Sequence, residues 1–152
     1  MAANTTPIFV GTPNVGFARL NYTNQNSDGS GTQSLIFTSG VNGSRIDEIR
    51  VHNSAATPSN TTDACVVRIF VATASTTGLI NGYTSSITPA FLVDEIAISS
   101  TARSTSAVGA SGFLSYPGGL IMASGSNLWA CMSIYNSANF DALDVIVRGG
   151  NF

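Results

Sequence analysis

The chain has 152 residues, of which only 9% are charged, and a formal net charge of −2 at pH 7. A charge this small and negative argues against the basic stripe by which proteins bind nucleic acid through counterion release. The sequence has neither an apolar run of the roughly 18 residues needed for a membrane helix nor the basic and hydrophobic regions of a signal peptide. We therefore expect no nucleic-acid partner, no membrane and no secretion by a signal peptide.

Turn-forming Gly, Ser, Thr and Asn recur about every ten residues, which is typical of the short strands of an all-β sandwich or barrel. The sequence predicts one domain, a two-sheet, jelly-roll-like sandwich of about eight strands at residues 17–152, after an N-terminal arm or first edge strand at residues 1–16. The long segment 99–112 is predicted to be a loop, and a further short strand is possible at residues 79–83. The eight predicted strands are residues 17–23, 34–38, 45–53, 65–72, 91–98, 120–123, 128–135 and 142–148.

Two of these strands have informative patterns. In residues 45–53, alternation places Ile49 and Val51 inward, and Arg50 and His52 outward. Residues 65–72 are apolar on both faces, which indicates a central strand that a second sheet or a neighbouring subunit covers.

The residues that could carry catalysis are few. His52 is the single imidazole, and its outward position in a strand favours a structural role over a catalytic one. In the adjacent acid pairs Asp47–Glu48 and Asp94–Glu95, neighbouring strand side chains point to opposite faces, so neither pair converges on one substrate atom. Arg45 and Arg50 are the expected partners of such acids, although carboxylates from different strands would still suit glycoside hydrolysis.

The two cysteines, Cys65 and Cys131, lack the spacing of a metal or redox site. Both fall in apolar strands and are predicted to be buried thiols, with a bridge between them in an oxidising medium as the alternative. We predict no metal ion, no cofactor and no enzymatic activity.

The scarcity of charge, the complete absence of lysine and the retention of arginine and aromatic residues are typical of surfaces that other proteins cover. The sequence therefore predicts self-association or membership in a larger assembly. An apolar cluster inside a polar arm supplies candidate contacts, with the terminal aromatic residue as another. These candidate assembly contacts are Thr5, Thr6, Pro7, Ile8, Phe9, Val10 and Phe152.

Three segments, namely residues 1–9, the predicted hairpin at residues 37–47 and residues 147–152, resemble a family of small structural proteins of tailed bacteriophages. The resemblance implies a jelly-roll capsid decoration or cement protein of the virion, assembled in the cytoplasm of the bacterial host. It also implies a homotrimer that binds the major capsid protein, and it implies no catalytic residues. Within the hairpin, residues expected to stabilise the fold are Asn42, Gly43, Arg45 and Asp47.

The alternative is a carbohydrate- or receptor-binding β-sandwich on the tail or head of the virion. Tyr83 and Tyr116 are its candidate ligand-binding aromatics, whereas Trp129 lies in an apolar strand and is predicted to pack in the core. A third reading, an enzyme of cupin type, needs a cluster of metal-binding histidines, which a single histidine cannot supply.

Overall fold

A computed structural model describes residues 11–54, 61–73, 90–102, 109–134 and 142–152 of the chain. The candidate contacts at residues 5–10, the possible strand at residues 79–83 and Tyr83 lie outside the described residues. No helix in the described ranges is long and apolar enough to cross a membrane.

The described residues form ten strands. The chain is all-β, as predicted, because its strands alternate apolar and polar residues and are punctuated by Gly, Ser and Asn turns. The strands are β1 (Thr12–Leu20), β2 (Ser34–Thr38), β3 (Ser44–Asn53), β4 (Thr61–Thr62), β5 (Cys65–Thr73), β6 (Phe91–Ile98), β7 (Thr101–Ala102), β8 (Ser111–Met122), β9 (Ser126–Met132) and β10 (Leu143–Asn151).

Eight of these strands form two antiparallel sheets that pack as a sandwich. The first sheet has the order β1-β10-β3-β8 and the second has the order β2-β9-β5-β6, while β4 and β7 form a separate two-residue ladder. In these sheets β1 pairs with β10, β2 with β9, β3 with β8, and β5 with β6, so the strands pair from the two ends of the chain toward its middle. This is the pairing of one long hairpin rolled into two sheets, so the predicted jelly-roll-like sandwich is confirmed.

The core lies between the sheets and contains the inward-facing apolar residues of both. Ile49 and Val51 of β3 are fully buried there and His52 is exposed, as the alternation predicted. From β5, Val67 and Ile69 enter the same core. The opposite face of β5 belongs to a second buried cluster, whose members are Phe70, Ala72, Ala90, Trp129 and Cys131.

Two strand boundaries differ from the prediction. β1 begins at Thr12 rather than at residue 17, and β8 runs through Ser111–Met122, where a loop to residue 112 and a short strand at 120–123 were predicted. The Pro117-Gly118-Gly119 run obscured β8, since those residues lie in a bulge where four residues of β8 oppose one residue of β3.

The predicted hairpin at residues 37–47 is wrong as a hairpin, although its turn forms. The N–H of Gly43 donates to the carbonyl of Gly40 over 3.0 Å, and Gly43 has a φ of 94°, which favours glycine. However, β2 and β3 lie in different sheets, so the turn connects the sheets rather than two paired strands. Local turn chemistry cannot distinguish these two arrangements.

Candidate assembly face

The outer face of the first sheet, which we call the assembly face, carries a row of four paired residues that crosses all four strands and has a phenylalanine at each end; we call it the aromatic row. Phe17 pairs with Ile146, Ile146 pairs with Arg50, and Arg50 pairs with Phe113. Phe17 and Phe113 are 78% and 69% exposed. Since neighbouring strands lie about 4.8 Å apart, the row spans about 14 Å with one exposed phenylalanine at each edge.

Most of the chain's arginine lies on this face. Its three acids are Asp47, Glu48 and Asp144, and its four arginines, of six in the chain, are Arg19, Arg45, Arg50 and Arg148. Four positive and three negative side chains give the face a formal charge of +1. Because the whole chain has a charge of −2, the remaining residues sum to −3.

Ion pairs hold these charges in fixed positions. Both nitrogens of the Arg50 guanidinium that face Glu48 donate to its carboxylate, over 2.6 and 2.9 Å. Arg148 approaches the same carboxylate at 3.6 Å, so two arginines share one acid. The hydrogen bond from Arg50 is the main reason that the pKa of Glu48 is lowered.

Arg19 forms a second two-pronged pair, with hydrogen bonds of 2.8 and 3.2 Å to the two oxygens of Asp144. That contact is the main cause of the lowered pKa of Asp144. Arg45 donates to Asp47 over 2.7 Å, so the pairing predicted within residues 45–47 is present. Glu48 likewise accepts from Arg50, two residues along the same strand. A bulge at Asp47 interrupts the alternation of β3, so Asp47 and Glu48 both lie on the assembly face, and the prediction that this acid pair points to opposite faces is wrong.

Two shallow depressions flank the aromatic row. One of about 430 Å³ lies between Phe17, Arg19 and Ile146, and one of about 220 Å³ lies between Arg50, His52 and Phe113. Each depression therefore combines an exposed phenylalanine with an arginine. Aromatic and arginine side chains are the residue types that most often dominate binding energy at protein interfaces.

His52 stands in a row with Asp144 and Ser111, which are the three residue types of a hydrolase triad. No hydrogen bond joins the three side chains in the described part of the chain, and Arg19 engages both oxygens of Asp144. His52 and Ser111 line the smaller depression whereas Asp144 lines the larger one, so neither depression contains all three residues. The described geometry thus contains no activated nucleophile.

The other predicted residues take up separate positions. The hydroxyl of Tyr116 donates to Asp94 over 3.4 Å, and its half-buried ring packs against the core, so Tyr116 does not present an open aromatic platform. Its burial raises its pKa to about 12. Phe152 lies against the turn, where its N–H donates to the carbonyl of Gly43 over 3.2 Å and its carbonyl accepts from Asn42 over 3.4 Å.

Both cysteines are buried, and no disulfide joins them. Burial raises the pKa of the Cys131 thiol to about 11, which keeps it protonated. Within the described residues, no group of three or more His, Cys, Asp and Glu side chains is placed to hold a metal ion.

The sequence analysis missed the aromatic row because it assigned no strand at Phe113, which lies between the predicted loop at residues 99–112 and the predicted strand at residues 120–123. The signal was available in the alternation of Phe113 and Ser115 with Gly112 and Leu114.

Comparison of the chain with family models, with curated proteins and with solved structures found no significant match. The resemblance to tailed-phage proteins therefore stays a prediction.

Proposed function

We propose that this chain is a non-enzymatic structural protein that binds a larger protein assembly through the assembly face. In the finer form of the proposal, the assembly is the head of a tailed bacteriophage, and the chain is a decoration or cement protein bound to the major capsid protein. The resemblance of residues 1–9, 37–47 and 147–152 supports this finer form.

One observation carries the coarser form: the aromatic row with the arginine pair beside it. Soluble proteins seldom leave such large apolar side chains exposed in one organised patch unless a partner covers it. Arg50 and Arg148 share a single carboxylate, so the patch has positive charge available for an acidic group of the partner. Hydrogen bonds to Glu48 and Asp144 orient Arg50 and Arg19 on this face.

The proposed action is mechanical. Packaged DNA presses outward on a capsid, and a protein that bridges neighbouring capsid subunits adds contact area that must be broken before the shell opens. Many copies, each bound weakly, would stabilise the shell through multivalency without one very tight site. The implied homotrimer stays a prediction. Of the two aromatics predicted for the carbohydrate-binding alternative, Tyr83 lies outside the described residues and Tyr116 is tied to Asp94.

The direct test separates heads from tails of the phage whose genome encodes this chain. We expect the chain in purified heads, in proportion to the capsid subunits, and we expect added protein to raise the temperature at which chain-free heads release DNA. Recovery of the chain only with tails, or in neither fraction, would contradict the phage-head form of the proposal.

A pair of variants tests the face itself. Phe113→Lys removes one end of the aromatic row and is expected to lower affinity for chain-free heads at least tenfold. Val41→Lys is the matched control, because Val41 is 88% exposed and lies on the turn, away from the assembly face. Equal affinities of the two variants would overturn the assignment of this face.

A further inference from the structure

β1 differs from the three other edge strands of the two sheets. β2, β6 and β8 each contain an irregularity in register against their single neighbour. β1 pairs with β10 over nine consecutive residues with no shift. Bulges are a common means of keeping an edge strand from pairing with another chain, so β1 is the described edge that lacks this protection.

The free side of β1 is also accessible. A groove of about 370 Å³ runs between β1 and β2, lined by residues 14–17 and 35–38. Gly16 allows the close approach of the two strands, since a Cβ there would overlap the carbonyl oxygen of Ile36. Val15 and Phe17 stand at the rim, 56% and 78% exposed.

The sequence of β1 is complementary to itself. When two copies pair antiparallel, residues that face the same side of the sheet lie opposite one another. An axis at Gly16 sets the nine residues of β1 opposite those of the other copy, with Val15 of each against Phe17 of the other, and only Pro13 lacks an N–H to donate. Pairs of an aromatic and a β-branched residue are among the stabilising cross-strand contacts.

Charge does not oppose this arrangement. Arg19 is the single charged residue of β1, and Asp144 of its own chain already neutralises it. In the register centred on Gly16, each Arg19 lies opposite Pro13 of the other copy. The two Arg19 residues are then about 20 Å apart along the strands, which is beyond the screening length of about 8 Å at physiological ionic strength.

We infer that two copies of this chain join β1 to β1 across a twofold axis at Gly16, so that the first sheet continues from one copy into the other. A single strand pair is smaller than a standard interface of about 1,600 Å², so the dimer is weak and forms only at high protein concentration. The contact is separate from the phenylalanine at the far edge of the assembly face, on β8.

Light scattering across a concentration series tests the inference. We expect the mass to rise from the chain mass of 15.7 kDa to an even multiple of it, either two copies or, if the copies also form trimers, six. Val15→Lys is expected to abolish the doubling, because a lysine on an edge strand opposes pairing. Phe91→Lys is the matched control, because Phe91 is 65% exposed and lies on the edge strand β6 of the second sheet, outside the assembly face.

Cysteine cross-linking tests the register. A mixture of the Val15→Cys and Phe17→Cys variants should form a disulfide between copies under mild oxidation, whereas each variant alone should not. In the proposed register like positions are displaced by two residues, about 6.6 Å, which exceeds the Cβ separation of a disulfide. The native thiols are buried and do not compete.

Three results would overturn the inference: a wild-type mass that never doubles, equal loss of the doubling in Val15→Lys and Phe91→Lys, or cross-linking of Phe17→Cys alone. These results are distinguishable from failure of the proposed function. A monomeric wild type that still binds heads removes the β1 contact and leaves the assembly face standing. A dimer that does not bind heads supports the β1 contact and contradicts the proposed binding of heads through the assembly face.

Discussion

Phe70 and Phe113 are phenylalanines on the outer faces of the second and first sheets, yet Phe70 is fully buried whereas Phe113 is 69% exposed. Trp129, beside Phe70 in the second sheet, is also buried, while Phe17 at the far edge of the first sheet is exposed. The two faces therefore share a residue type and differ in what covers it.

The chain itself covers the outer face of the second sheet around Phe70 and Trp129, while Leu92 on the edge strand β6 is 43% exposed. Residues 23–33, which connect β1 to β2, lie across its outer face. The backbone N–H of Asn24 donates to Met132 over 2.8 Å, the carbonyl of Asn24 lies 3.7 Å from the sulfur of Cys131, and a Cβ added at Gly29 would collide with Ala90. No described segment covers the first sheet in this way. The difference indicates that the second face serves the stability of the chain and that the first is available to a partner.

The sharpest test of this comparison removes one phenylalanine from each face. Phe70→Ala should lower the free energy of unfolding by about 3–5 kcal/mol, because it leaves a cavity in a closed cluster. Phe113→Ala should lower the free energy of unfolding by less than about 1 kcal/mol, because the ring of Phe113 is already exposed to water. Denaturant unfolding of both variants measures the difference. Similar losses would show that the two faces are not differently covered.

A smaller effect is expected from loosening the covering segment. The Asn24 amide donates to the carbonyls of Ser30 and Thr32, over 2.9 and 2.8 Å, and accepts from the N–H of Asn26 over 3.0 Å. Asn24→Ala should lower the free energy of unfolding by about 2–3 kcal/mol, because these three hydrogen bonds are lost and the groups of Ser30, Thr32 and Asn26 that made them lose a partner.

Alkylation of Cys131 reports on the same change. The raised pKa of about 11 and the burial of this thiol should make native Cys131 nearly unreactive at neutral pH, because the thiolate is the nucleophile. Asn24→Ala should accelerate the reaction at Cys131 when followed by mass spectrometry. Asn26→Ala, which removes one exposed hydrogen bond to Ser30, is the control and should leave the rate near that of the wild type.

The sequence predicted the sandwich well because the alternation of apolar and polar residues can be recognised within each strand separately. Alternation over residues 45–53 identifies one buried face, and this face needs no knowledge of the neighbouring strands. The same reasoning failed at β8, where Pro117 and the glycines after it indicate a turn. In the sheet, these residues form a bulge at an edge, where the lost side chains and the missing N–H of proline are tolerated.

The assembly face could not be predicted from the sequence for a different reason. Phe17 and Phe113 become ends of one row only through the registers of β1 with β10, β10 with β3, and β3 with β8. Those registers join segments that are far apart in the chain, and a shift of one residue would place either ring in the core. The apolar content of residues 65–72 was recognised, but that residues 23–33 cover its outer side was not evident from their polar composition.

The smallest expected effect concerns the exposed face, where charges should contribute little to stability. The hydrogen bond from Arg19 lowers the pKa of Asp144, so Arg19→Gln should raise that pKa toward the usual aspartate range in an NMR titration. Arg45→Gln removes the same charge from the same face and should leave Asp144 unchanged.

The sign of the linked stability follows from the direction of that shift. Because the pKa of Asp144 is lower in the folded chain, the pair stabilises the fold above the unfolded-state pKa of about 3.9, and this stabilisation is lost as the pH falls through the folded value. Solvent screens both side chains, so Arg19→Gln should lower the free energy of unfolding only slightly at pH 7, and not at all once Asp144 is protonated. If Arg19→Gln lowered the free energy of unfolding as much as Phe70→Ala does, the first sheet would depend on its outer charges for folding. Those charges would then need no partner to explain them.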